Sequence, residues 1–206
     1  MNSELRHEDK ISISKIVNGL FSVLMCSLIT NIFLTLASGT GDEITPLTSI
    51  PTIVSNVFIV VYGVLLIKLE EYSDSYKSAG ILCIILAVIN IATSFPITDS
   101  KALTTVIAII ILIIQIVKEF KEIDAHTSMM KKIPAHNLNW EKVSGTLTAY
   151  VSISIIAVVL SPLFGILGAL LALVASIVYL VFSIKKWIYI KHMGRIFKES
   201  AETFDE

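Results

Sequence analysis

Few residues in this chain are of a type that does chemistry, and their spacing restricts what they can do. His126 and His136 share one polar segment, with no His-Glu-x-x-His or Cys-x-x-Cys context around either. They read as solvated or interfacial histidines. Asp42-Glu43 offers too few oxygens for a calcium ion, which takes six to eight. No glycine-rich phosphate loop and no Ser/His/Asp constellation is present. The expectation is therefore no catalytic residue, no metal and no cofactor, and hence a protein that is not an enzyme.

What remains is uncharged polarity set in apolar surroundings. Asn18, Ser22, Cys26 and Thr30 follow one another at four-residue spacing, which on a helix places them on one face. With Asn56 and Asn90 they form a candidate lining for a neutral or weakly polar solute. Helix-to-helix hydrogen bonding is the competing role for the same groups. The two cysteines, Cys26 and Cys83, fall inside apolar stretches and read as small buried hydrophobes.

The elements that carry these residues follow from hydropathy. The 206 residues are 54% hydrophobic, with mean hydropathy +0.80, beyond the range of an ordinary soluble domain. No charge occurs between Gly145 and Ile184, a length sufficient for two bilayer crossings of roughly 20 residues each. Six apolar stretches stand out, at about 16–37, 52–67, 79–95, 102–117, 145–160 and 163–184. A backbone in lipid must satisfy its own hydrogen bonds, so each reads as a helix. The expected fold is all-α: one polytopic integral membrane bundle over 1–206, six transmembrane helices as three hairpins. The first stretch follows Glu4, Glu8 and Asp9 and lacks a small-residue cleavage motif, so it reads as a retained span.

Orientation comes from the basic residues. Segments 1–15, 68–78, 118–142 and 185–198 carry every Lys and Arg except Lys101, and they alternate with segments that carry Lys101 alone. The positive-inside rule then places both termini in the cytoplasm. Lys outnumbers Arg and isoleucine is abundant. That composition fits a bacterial cytoplasmic membrane.

Two amphipathic segments, about 118–141 and 185–199, flank the fourth and sixth spans on that same side. Phe120, Ile123 and Met130 recur at helical spacing beside Lys131 and Lys132, and Trp140, Lys185, Lys186 and Trp187 sit at the apolar boundary. These residues are expected to contact headgroups or a partner protein. In the last span, Ser161, Gly165, Gly168, Ala169, Ala172, Ala175 and Ser176 gather on one side of a helix at about 100° per residue. Small residues let helix backbones approach closely in lipid, so this side is expected to pack on span 1, span 5 or a second copy. The expected partners are the lipid bilayer and another membrane protein or a homo-oligomer, with no nucleic acid.

Two functions fit these features. The first is a non-enzymatic, partner-binding subunit of a membrane complex. The second is a solute-binding or translocating protein for an uncharged or weakly polar substrate. A polar cavity between the helices separates the second from the first.

Overall fold

The computed structural model describes residues 5–38, 49–93, 101–133, 138–160 and 165–202. Among the described residues every regular element is helical: α1 (His7–Ser38), α2 (Ser49–Ile67), α3 (Asp74–Thr93), α4 (Lys101–Met130), α5 (Glu141–Leu160) and α6 (Gly165–Glu202). Four of them, α1, α3, α5 and α6, are long and apolar enough to cross a membrane. The structure thus bears out an all-helical protein with several membrane-competent helices.

Local chemistry explains the helix starts. Glu8 and Asp9 lie in the first turn of α1, where carboxylates favour the positive end of the helix dipole. Between α2 and α3 the chain makes a single 3-10 turn at Glu70–Tyr72. Ser73 then adopts an extended backbone, and its hydroxyl accepts from the Ser75 N–H, a capping geometry that opens α3. The Asn139 side-chain oxygen accepts from the Glu141 N–H at 2.9 Å and opens α5 in the same way. Neither α4 nor α6 stops where its apolar stretch ends. Both continue without a break through Lys118 and Lys185-Lys186.

Chain neighbours pack on each other except at α4 and α5, whose contact is slight, while α6 returns to lie along α1. At the α2–α3 contact the two backbones meet through glycines. An added Cβ on Gly80 would sit 2.5 Å from the Gly63 carbonyl oxygen, and one on Gly63 would sit 2.8 Å from the Gly80 carbonyl oxygen. At the α1–α6 crossing Gly194 leaves room for Asn18, whose Oδ1 would lie 2.5 Å from a Cβ there. The Ser14 hydroxyl donates to the Gly194 carbonyl at 2.9 Å across the same crossing.

The small-residue side of α6 is buried only in part within the chain. Gly168 and Ala175 are buried, with Phe182 seven residues further along the same seam. Gly165, Ala169, Ala172 and Ser176 are exposed in the single chain, and Ser161 lies outside the described residues. At about 100° per residue, Gly165, Ala169, Ala172 and Ser176 lie some 40–100° round from Gly168. The seam is narrower than the stripe. Close packing through small residues occurs instead between α2 and α3, at Gly63, Ala79, Gly80 and Cys83.

The core gathers at one end of the bundle. Its largest fully buried side chains include Trp140, Tyr76, Phe182, Phe197, Leu66, Leu69, Met129 and Met193. They surround the end at which α2 finishes, α3 begins, α4 finishes and α5 begins.

Candidate functional site

At that end α4 carries the adjacent Lys118 and Glu119, then Glu122 and His126 three and four residues further on, on the side facing the bundle. α6 supplies Lys186 opposite them. The Lys186 ammonium donates to Glu119 Oε2 at 2.7 Å and to Glu122 Oε2 at 2.8 Å. Lys118 donates to Glu119 Oε1 and stands 3.7 Å from Glu122 Oε2. From α2 the Tyr62 hydroxyl donates to Glu122 Oε1. Two ammoniums thus face two carboxylates, and all four side chains are almost entirely withdrawn from water.

His126 lies beneath this quartet. Its Nδ1 is 2.7 Å from the Tyr76 hydroxyl, and its Nε2 is 3.5 Å from Glu122 Oε1. The ring stacks on Trp140 at 4.5 Å between centroids, and Trp140 meets Tyr189 edge-on. The Tyr76 hydroxyl occupies Nδ1, while the buried Nε2 makes no hydrogen bond. Both groups lie beyond the apolar stretch of α4. Burial alone pushes the Glu122 carboxyl up, but the Lys186 and Lys118 ammoniums outweigh it and hold the group well below the usual range. Burial pulls the His126 imidazole below its ordinary value in spite of Glu122, so it is neutral at pH 7.

Above the quartet the helices enclose a cavity of about 450 Å³. α1, α2, α3, α4 and α6 all line it. Its polar end is formed by Lys118, Glu119, Lys186, Gln115 and Tyr179, and its walls by Leu24, Phe58, Ile59, Leu86, Ile111 and Phe182. The Gln115 amide donates to the Tyr179 hydroxyl at 2.9 Å, tying α4 to α6 across the polar end. This is the size and make-up of a small-molecule site: mostly apolar, with a few convergent polar groups.

The residues singled out from sequence fall on both sides of this picture. Of the candidate polar lining only Asn90 reaches the cavity. Ser22 and Cys26 are exposed and Thr30 is half-buried, because α1 turns Val23, Leu24 and Ser27 inward instead. Asn18 serves the α1–α6 crossing, and Asn56 is buried outside the cavity lining.

The expected headgroup or partner contacts are corrected more sharply. Ile123, Met130, Trp140 and Lys186 are buried inside the chain, since α4 and α6 carry their inner faces on into the core. Trp187 lines the cavity. Lys185 donates to the Thr146 hydroxyl, and Lys132 to the Tyr72 carbonyl. Phe120 is half-buried against the core, and Lys131 alone of the set is exposed. His126, expected to be solvated, is completely buried, whereas His136 lies outside the described residues. Among the described residues no group of His, Cys, Asp and Glu is placed to hold a metal.

No protein-family model, curated protein or solved structure matches this chain.

Proposed function

We propose that this is a multi-pass membrane protein that binds a small solute in the cavity among α1, α2, α3, α4 and α6 and passes it across the bilayer. In this reading α1 to α6 each carry one of six spans forming three hairpins, the protein is not an enzyme, and both termini lie in the cytoplasm. The ion-lined end of the cavity then faces the cytoplasmic side, and the membrane is a bacterial cytoplasmic membrane.

The cavity is the observation that carries this reading. A buried charge quartet costs desolvation that apolar residues would not, and a structural role alone has cheaper solutions. A few charged and polar groups converging at one end of a mostly apolar cavity are the usual means of orienting a bound solute. The competing reading, a partner-binding accessory of a membrane complex, loses support because Ile123, Met130, Trp140 and Lys186 are not on the surface.

Cysteine accessibility tests the cavity. With Cys26 and Cys83 replaced by Ala, a cysteine at Ser27 or Asn90 is expected to react with a small water-soluble thiosulfonate. One at Ala157, buried on α5, is not. Equal protection at all three positions removes the solute-binding reading.

A further inference from the structure

We propose that the cavity takes a monoanionic amphiphile, a carboxylate on an apolar body, with Lys118 and Tyr179 as the groups that read its head. This rests on the solute-binding reading above and adds the chemical class of the solute.

The argument counts donors and acceptors. An ammonium has three N–H donors. Lys186 commits two of them to Glu119 and Glu122 and stands over the Tyr62 ring, 5.6 Å from its centre. Lys118 commits one to Glu119 and has Glu122 only at 3.7 Å, so it retains donor capacity at the cavity. Tyr179 accepts from Gln115, which leaves its own hydroxyl proton to donate. The carboxylates are engaged from the opposite side. Both oxygens of Glu119 accept from ammoniums, and both oxygens of Glu122 are taken by Tyr62 and Lys186. The cavity therefore offers spare donors on Lys118 and Tyr179, while its carboxylate is already paired.

The spare donor is itself an ion. Lys118, Lys186 and Glu119 line the cavity with Glu122 buried behind them, so the two ammoniums and two carboxylates balance one another. A carboxylate is the acceptor that a spare ammonium N–H holds most strongly, because charge-assisted hydrogen bonds are the strong ones. The walls of Leu24, Phe58, Ile59, Leu86 and Phe182 set the other requirement, an apolar body behind the head.

The experiment is a head-group series on the unmodified protein in lipid nanodiscs. Octanoate, octanol, octylamine and octyl phosphate are titrated calorimetrically, with empty nanodiscs subtracted. Octanoate is expected to bind about tenfold or more tighter than octanol, the scale on which one charge-assisted contact is felt. Lys118→Met is expected to abolish that preference while leaving octanol binding in place, and Tyr179→Phe to reduce it.

Equal binding of octanoate and octanol overturns the carboxylate assignment, as does a preference for octylamine or octyl phosphate. Absence of binding by all four overturns it as well. Thiosulfonate labelling at Ser27 and Asn90 reports separately whether the cavity itself stands. If Lys118→Met does not fold, the series on the unmodified chain decides alone.

Discussion

The two halves of this bundle are built on different principles. Towards the basic end, aromatic rings and ions interlock: Tyr62, Tyr76, His126 and Trp140 surround a quartet in which Lys186 of α6 grips Glu119 and Glu122 of α4. Towards the opposite end the helices are studded with outward-facing Ile, Leu and Val. Val88, Ile155, Val158, Ile166 and Leu173 are all well exposed. In lipid an exposed valine loses nothing by not packing, so apolar matter alone does not draw helices together. Polar side chains that find no water do. The basic end fixes the arrangement, and the apolar half follows it loosely enough to leave a cavity.

Removing one ion from the packed end is the strongest way to test this contrast. Lys186→Met leaves Glu119 and Glu122 buried with Lys118 alone, and is expected to cost about 3–5 kcal/mol, the scale for breaking a buried pair. Thermal unfolding in detergent reads the loss. Combining it with Glu122→Gln should recover a large part of it. If the double variant is no better than the single, the quartet is not a coupled unit.

The glycines separate the halves next. Gly80→Ala places a methyl against the Gly63 carbonyl and is expected to destabilise by about 1–3 kcal/mol, the usual range for overpacking. Gly165 has no atom within 4 Å of where its Cβ would stand, so Gly165→Ala should stay within about 0.5 kcal/mol. Equal effects would mean that the two ends pack alike.

Acid provides a third test. The folded His126 binds its proton less readily than the free side chain, and Glu122 likewise. In both cases the unfolded chain holds more protons as pH falls. Stability is fully present above the ordinary histidine value of about 6.5 and declines below it, with Glu122 adding to the loss near pH 4. His126→Gln should flatten the decline between about pH 6.5 and 5. An unchanged pH profile would place the titrating group elsewhere.

The smallest effect belongs to α6. Ala175→Leu meets a buried seam and Ala172→Leu meets open surface, so only the first is expected to lower the unfolding temperature. A loss at Ala172 that depends on protein concentration would mean that a second copy covers the exposed side.

Much of the helical plan was legible in the chain. Hydropathy alone locates the apolar stretches that α1 to α6 follow for most of their length, because a charge-free run of that length has few other uses. The site was legible only in part. Treating Lys118 and Lys185 as the ends of apolar stretches hides the fact that both helices continue. Yet Lys118, Glu122 and His126 recur every four residues on the side that also carries Met129, Met130 and Ile133, and ions spaced along an apolar face are a signal of burial. What spacing along one helix does not contain is the partner on another. Nothing around Lys186 reveals that it answers Glu119 and Glu122, 67 and 64 residues away along the chain. The stripe from Asn18 to Thr30 has the right period and the wrong direction, since a polar row looks the same whether it turns towards a cavity or away from it.

One element joins the loose half to the tight one. At about 1.5 Å per residue, the 38 residues of α6 extend roughly 57 Å, against a hydrocarbon layer about 30 Å thick. The helix is continuous from Tyr179 at the cavity, through Lys186, to Gly194 and Ser200, whose carbonyls accept from Ser14 and Lys10 of α1. A rigid rod does not turn at one point only. A ligand that rotates α6 to reach the Tyr179 hydroxyl must carry the same rotation to the far tip, where α1 holds it by two hydrogen bonds. The proposed solute site at Tyr179 would thus be felt some 30 Å along the rod, at about 1.5 Å for each residue between Tyr179 and Ser200.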